Sequence, residues 1–388
     1  DLTIAPDTPN RHQASLTMRV DAANGVPWDL DLTIPISCRT IDASAMIGVG
    51  DLDGNGSPDL AVAVRTPSGR QWVKTRDAAT GETTGAVKIS TTAWDVVDLA
   101  RVPGTVGQVA VLIRRSDGAT RVVVADPADG TRLGSLRFGS RHTPVALAVA
   151  PGGEDGQDLF AVLQHHSSGS SRVIARYADG TQATRRALDV APIDVESLDD
   201  LGSAPGPDLA VLGTGPDGAV TAVVFDPIDR TEFASIPFGS DPGLDLEVPR
   251  DAAGAPVLAV LQQRDGEAVV TLTDPLTGAV LRTIVIPLAT PLDLEPLPGA
   301  AGEADLLAAL GLASDGTPAA FVAEPDPGRI TGGPALDAAS TPIDLAVLAG
   351  HGPAGVALAA LTSIGLLEAG VTLWDPVTGE PLGTLPVP

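Results

Sequence analysis

The chain has one cysteine, Cys38, in 388 residues. No disulfide can form within it, and no cysteine cluster can hold a metal. The compartment stays open on this count, because a protein with a large core needs no disulfides even in an oxidising space. Aromatic residues make up only 3% of the chain, with four tryptophans and one tyrosine. That is little for a carbohydrate lectin, and Trp28, Trp72, Trp94 and Trp374 are expected to pack between elements of the fold. Lysine is nearly absent: Lys74 and Lys88 are the two among 24 basic residues, which we take as a composition bias and not as chemistry. Against these stand 49 acidic residues, for a net charge of −25. This net charge argues against nucleic acid or an anionic membrane surface as a partner, because their phosphates would be repelled. No apolar run reaches the roughly 18 residues of a membrane span, so no membrane insertion is expected. The chain opens on "DLTIAPD", without a charged and apolar leader. We expect either that a signal was removed or that the chain is a fragment of a longer one. A helical apolar period is missing too, because Pro or Gly interrupts every few residues.

What is present is a repeat. "DAATG" at 77–81 returns as "DPADG" at 126–130, "DPIDR" at 226–230, "DPLTG" at 274–278 and "DPVTG" at 375–379. "RYADG" at 176–180 and "EPDPG" at 324–328 are worn copies. Upstream of each turn lies a phrase such as "PIDVESL" (192–198), "PLDLEPL" (291–297) or "PIDLAVL" (342–348). Between them lies another, such as "DLAVAV" (59–64), "DLFAVL" (158–163) or "DLAVL" (208–212). Each unit therefore holds four short segments rich in Val, Ile and Leu, bounded by turn residues, which is the pattern of strands and tight turns. The second segment is apolar throughout, as for a strand buried on both faces, whereas the third alternates. Four antiparallel strands repeated at this spacing predict an all-β fold, a β-propeller of four-stranded blades. A single such sheet cannot bury both faces, and radial packing solves this while closing the ring protects the edges.

The unit bounds are approximately 1–42 (incomplete), 43–92, 93–142, 143–190, 191–240, 241–289, 290–340 and 341–388, in a single domain. In the first unit "DLTIA" (1–5), "SLTMRV" (15–20) and "DLDLTIPI" (29–36) match the second, third and fourth segments, and the first is missing. Eight repeat units are thus expected, with a seven-bladed ring and residues 1–40 packed outside as the alternative. A third arrangement completes the first unit with a strand from another molecule.

One loop carries chemistry: "DLDGNGSPDL", residues 51–60. Asp51, Asp53, Asn55 and Asp59 fall at positions one, three, five and nine, and Ser57 at seven would offer its backbone carbonyl. Calcium prefers several oxygen ligands at flexible geometry, which such a loop supplies. Gly54 and Gly56 permit the positive φ values that wrap it round an ion. An EF-hand would need Glu at position twelve, where Val62 stands, so a helix–loop–helix sensor is excluded. Without a metal, the segment would be a solvated Asp/Asn/Gly turn. Asn55-Gly56-Ser57 is also a glycosylation sequon, whose glycan would compete with the ion.

The stretch "GVGDLDGNGSPDLAVAV" (48–64) resembles an FG-GAP or VCBS-type repeat, the calcium-loop propeller repeat of integrin α-chain heads and many bacterial surface proteins. The resemblance implies a calcium loop between the first and second strands of a blade. On its pattern Asp51, Asp53, Asn55 and Asp59 are side-chain ligands and Ser57 a carbonyl ligand. Elsewhere the frame is eroded: Asp158, Asp208 and Asp305 keep the last position, and only 154–158 suggests a second, weak site.

A further pattern is the aspartate of the first segment: Asp95, Asp194, Asp245, Asp293 and Asp344. Around the axis these would form either a cation or sugar site or a set of hydrogen bonds to backbone amides. No Walker loop, HExxH or G-x-S-x-G occurs, and His12, His142, His165, His166 and His351 are scattered. The reading is a non-catalytic, extracellular or cell-surface, calcium-binding propeller. It would act as a structural, matrix or adhesion module on other copies of itself, surface or matrix proteins, or polysaccharide, and could self-assemble by strand exchange at the incomplete unit. The alternative is a lectin or glycan-active enzyme using one face of the propeller.

Overall fold

The structure is a computed structural model. It describes residues 13–20, 28–35 and 42–387, apart from 67, 91–93, 153–155, 167–169, 203–205, 300–301, 326–328, 334–335, 352–354 and 365–367. Cys38, His12 and the segment at 1–5 lie outside the described residues, as does part of the weak site proposed at 154–158.

Seven four-stranded antiparallel sheets form, each from four consecutive strands. Their first strands are Asp42–Gly50, Trp94–Arg101, Thr143–Ala150, Ala191–Leu198, Gly243–Glu247, Thr290–Leu297 and Ser340–Ala349. These line the axis, and we number the blades 1 to 7 in that order. The core is divided into seven clusters, one at each junction between neighbouring blades. This explains the continuously apolar second segment. In Asp59–Arg65, Leu60, Val62 and Val64 face the junction with blade 7, while Ala61 and Ala63 face the junction with blade 2. The third strand Gln71–Asp77 alternates between buried and half-buried positions, as its sequence does.

The ring closes at seven. Leu60 and Val62 of blade 1 share a cluster with Leu348, Leu361 and Val371 of blade 7. The inner strands meet so closely that a Cβ on Gly48 would stand 2.1 Å from the carbonyl oxygen of Val347. An eighth blade would need space at this contact, so the alternative count of seven is the correct one and the eight-unit ring is not formed. Each terminal blade is complete from its own consecutive strands, blade 7 ending with Pro381–Val387.

The strands Gln13–Val20 and Trp28–Pro35 cover the segments expected as the third and fourth of the first unit. Gln13–Val20 pairs antiparallel with Trp28–Pro35 in a two-stranded sheet that joins no blade. The register opposes Ala14 to Ile34, Leu16 to Leu32, Met18 to Leu30 and Val20 to Trp28.

Candidate metal centre

The loop 51–59 joins the first two strands of blade 1, Asp42–Gly50 and Asp59–Arg65. Gly54 and Gly56 adopt φ values of 76° and 87°, as the sequence requires of them. The turn brings the carboxylates of Asp51, Asp53 and Asp59 together, with one oxygen of each within 4.8 Å of the others. Calcium holds oxygens at about 2.3–2.6 Å, so ligands of one ion stand no more than about 5 Å apart. The donors are all oxygen, and among the described residues no other group of three metal-ligating side chains meets. The set therefore fits a hard divalent cation.

The three carboxylates differ in environment. Asp51 accepts N–H bonds from Gly54 (2.8 Å), Asn55 (3.2 Å) and Gly56 (2.8 Å). The Gly56 amide is the largest influence, and together these bonds hold the carboxyl below its usual range. Asp53 is exposed at the tip. Asp59 is fully buried, and burial pushes its carboxyl up against hydrogen bonds from Thr84 Oγ1 and the Leu52 amide, with Asp53 and Asp77 adding repulsion. A cation here would relieve that repulsion.

Asn55 and Ser57 sit where the pattern requires, but their side chains are engaged locally. Asn55 Oδ1 accepts the Ser57 amide at 2.7 Å, and Asn55 Nδ2 donates to Asp77 Oδ2 at 2.8 Å. Ser57 Oγ lies 3.2 Å from Nδ1 of His351 in blade 7. On the other side, Gly107 of blade 2 donates to the carbonyl of Val49 at 3.1 Å, and a Cβ on it would stand 2.2 Å from Leu52 Cδ2. The loop is thus gripped by both neighbouring blades.

Asp77, Thr84 and His351 escaped the sequence reading. Asp77 opens the recurring turn, where its carboxylate accepts the Thr80 amide; Asp226, Asp274 and Asp375 cap their turns the same way. That repeated role hid the second contact, from Asp77 to Asn55. The eroded loops are explained as well. Asp208 accepts the Leu201 amide at 2.6 Å and Asp305 the Gly299 amide at 3.0 Å, as Asp59 accepts that of Leu52 at 2.7 Å. The last aspartate staples the loop in each case, so it persists where the early carboxylates are lost.

The axial aspartates form a chain of clasps. Asp194 accepts its neighbour Val195's amide at 2.8 Å and the Leu246 amide of the next blade at 3.2 Å. Asp245 reaches Leu294, Asp293 reaches Leu345, and Asp344 reaches Met46, each one blade onward. In blade 2 the residue is Asp98, bonded to Leu147 at 2.8 Å, and not Asp95. Asp95 stands on the surface, paired with Arg65. The bulge in each first strand sets this register, with Asp98 opposite Leu112 as Asp194 is opposite Leu212. Ala45 and Ala146 occupy it in blades 1 and 3. Glu196, Glu247 and Glu295 stand two residues beyond the aspartates of blades 4 to 6 and share with them an axial cavity of about 290 Å³. Burial first, then repulsion from the axial aspartates for Glu196 and Glu295 and from those two glutamates for Glu247, pushes these glutamates well above the usual carboxylate range.

Trp72, Trp94 and Trp374 do not gather into a sugar platform. Trp374 is buried between blades 6 and 7, Trp72 packs on the closing cluster, and Arg115 and Arg121 lie over Trp94. Among the described residues no helix is long and apolar enough to cross a membrane.

No protein-family model matches the chain, and no curated protein sequence matches it. Solved structures do. The Dos1 propeller aligns over 88% of this chain and 83% of its own, at 13% identity and a TM-score of 0.55. The N-terminal part of BBS1, in a complex with ARL6, aligns over 96% and 100% at 14% identity and a TM-score of 0.55. Apocarotenoid oxygenase from Synechocystis aligns over 90% and 92% at 11% identity and a TM-score of 0.51. At such identities the kinship is one of fold: the chain is a seven-bladed β-propeller.

Proposed function

We propose that the chain is a non-catalytic, calcium-stabilised propeller serving outside the cell as a structural, matrix or adhesion module. The observation that carries this is the convergence of Asp51, Asp53 and Asp59 within 4.8 Å on a loop held by the two adjoining blades. Asp51, Asp53, Asn55 and Asp59 would ligate through side chains and Ser57 through its carbonyl. The ion would supply positive charge that neutralises the loop and couples its order to metal. The resemblance of 48–64 to FG-GAP and VCBS repeats supports the same reading. A loop that offers one exposed, one half-buried and one buried carboxylate suits the millimolar calcium of extracellular fluids, where modules of low affinity operate.

Partners in this reading are surface or matrix proteins, polysaccharide, or other copies of the chain. The BBS1 structure holds its propeller in a complex with a protein. Self-assembly is favoured by the pairing of Gln13–Val20 with Trp28–Pro35 in a two-stranded sheet that joins no blade among the described residues. Such a sheet is marginal alone and gains by adding strands. Thermal unfolding with calcium and with a chelator tests the proposal. The wild type gains a higher midpoint with calcium and Asp53→Ala does not; equal midpoints for the wild type in both conditions would contradict it.

One observation favours a second reading, a glycan-binding or glycan-active site on the axis. Glu196, Glu247 and Glu295 line one cavity there and, among the described residues, accept no bonds from the next blade, unlike the aspartates. Glycan array binding lost in Glu247→Gln would support it.

A further inference from the structure

The negative charge is unevenly placed. Residues 191–388 hold 28 acidic and five basic side chains, whereas residues 101–190 hold eight acidic and 11 basic. The basic groups concentrate where blade 2 hands over to blade 3. Arg141 and His142 lie in the connection from Thr131–Gly139 to Thr143–Ala150. His165, His166 and Arg172 flank the next hairpin, and Arg185 lies on the outer strand Gln182–Leu188. The matching hairpins of blades 2, 4, 5 and 6 each carry an aspartate before their glycine: Asp117, Asp217, Asp265 and Asp315. The hairpin of blade 3 carries none.

Arg172 is the unusual member. It is only 9% exposed, yet its fixed partner is a neutral amide. Nε donates to Gln164 Oε1 at 2.9 Å, and Gln164 Nε2 in turn donates to the carbonyl of Phe138 at 3.2 Å. The two Nη groups form no ion pair with any carboxylate among the described residues. Gly139 makes room for them: a Cβ there would stand 3.3 Å from Arg172 Nη2. The rings of His142 and His166 pack beside this group, tilted at 46° with centroids 4.7 Å apart. Nδ1 of His142 is buried without a hydrogen-bond partner. Asp189, in the loop beyond Gln182–Leu188, is exposed and forms no ion pair with any of them.

A buried cation without a counter-charge is costly, and a guanidinium whose Nε is anchored presents its remaining N–H groups in a fixed planar fork. That fork matches two oxygens of a tetrahedral anion. We propose that the blade 2–blade 3 junction is an oxyanion site, which takes a phosphate or sulfate group on the Nη atoms of Arg172 with Arg185 and His142 around it. The crowding of like charge agrees with this: burial first, then Arg172, His166, Arg185 and Arg141, lowers the proton affinity of His142 to a pKa of about 4. An anion would reverse that shift.

Calorimetric titration of the whole chain with inorganic phosphate and with sulfate, at low chloride and neutral pH, tests the site. The wild type should saturate at one equivalent in the millimolar range or below, and Arg172→Gln should lose the isotherm. Arg185 is exposed, so Arg185→Gln keeps the fold and should weaken binding about tenfold or more. Nuclear magnetic resonance of His142 should show its pKa rising when phosphate is added. O-phosphoserine in parallel separates the sources: tighter binding than free phosphate identifies an ester as the ligand, and weaker binding identifies the free ion. No saturation in the wild type, or an isotherm unchanged in Arg185→Gln, would overturn the proposal.

Discussion

The carboxylate of Asp344, in the inner strand of blade 7, accepts the main-chain N–H of Met46, in the inner strand of blade 1, across a sequence separation of 298 residues. This one bond continues the clasp made by Asp98, Asp194, Asp245 and Asp293, and it is the member that shuts the ring. Asp344→Ala leaves the amides of Met46 and Leu345 without their acceptor. Each orphaned buried donor costs about 1–3 kcal/mol, so the loss should reach about 3 kcal/mol in urea unfolding. Asp95→Ala, which removes an exposed ion pair with Arg65, should stay within about 0.5 kcal/mol of the wild type. Equal losses in the two variants would refute the clasp.

The same carboxylates set an unusual pH dependence. Burial raises Asp98 to about 7, and it also raises Asp194, Asp245, Asp293 and Asp344 and the three axial glutamates. A carboxyl raised in the folded state contributes fully below its unfolded pKa, and its contribution is lost as pH climbs through the folded value. Stability should therefore fall between about pH 4 and pH 7 as pH rises. Two histidines act oppositely in part of this window: burial lowers His142 and His351, which disfavours the folded state as pH falls below their ordinary value of 6.5. The eight carboxyls outweigh them. Asp51 and Asp77, held low, lose their contribution only below the ordinary carboxyl value of 3.8. Calcium-free melting at about pH 5 should lie above that at about pH 8. The reverse order would show that the axial carboxyls are not desolvated as described.

Asp77 separates turn capping from metal binding. Its carboxylate caps its own turn through Thr80 and also holds Asn55 at 2.8 Å. Asp274 caps an equivalent turn through Thr277. Asp77→Ala and Asp274→Ala should each lose about 1 kcal/mol of stability. Only the first should weaken calcium binding, by about tenfold, as expected when a ligand-orienting contact is lost. Unaltered calcium affinity in Asp77→Ala would remove Asp77 from the site.

Much of this architecture was legible in the sequence because the physics is local and repeated. The apolar run of Asp59–Arg65 reports burial on both faces, and the alternation of Gln71–Asp77 reports the next strand out. The turn aspartates announce the links between third and fourth strands. What misled was register. "AWDVVDL" offers two aspartates, and only the bulge in the strand decides that Asp98, followed by Leu99, is the equivalent of Asp245 before Leu246. The Asp–Leu pairing was the available signal. Blade number was ambiguous for a different reason. The strands Gln13–Val20 and Trp28–Pro35 have the grammar of a blade, but closure is decided by the contact of Gly48 with Val347, between residues far apart in the chain. The gathering of Arg172, His142 and His166 around one point also depends on such distant packing.

Calorimetric titration of the metal-free chain with calcium tests most directly the proposed binding of one ion by the loop 51–59. One equivalent should bind with a dissociation constant in the millimolar range or tighter, and Asp51→Ala and Asp53→Ala should each abolish the heat. A wild type that takes up no calcium at millimolar concentration, or one whose binding survives both substitutions, would contradict it.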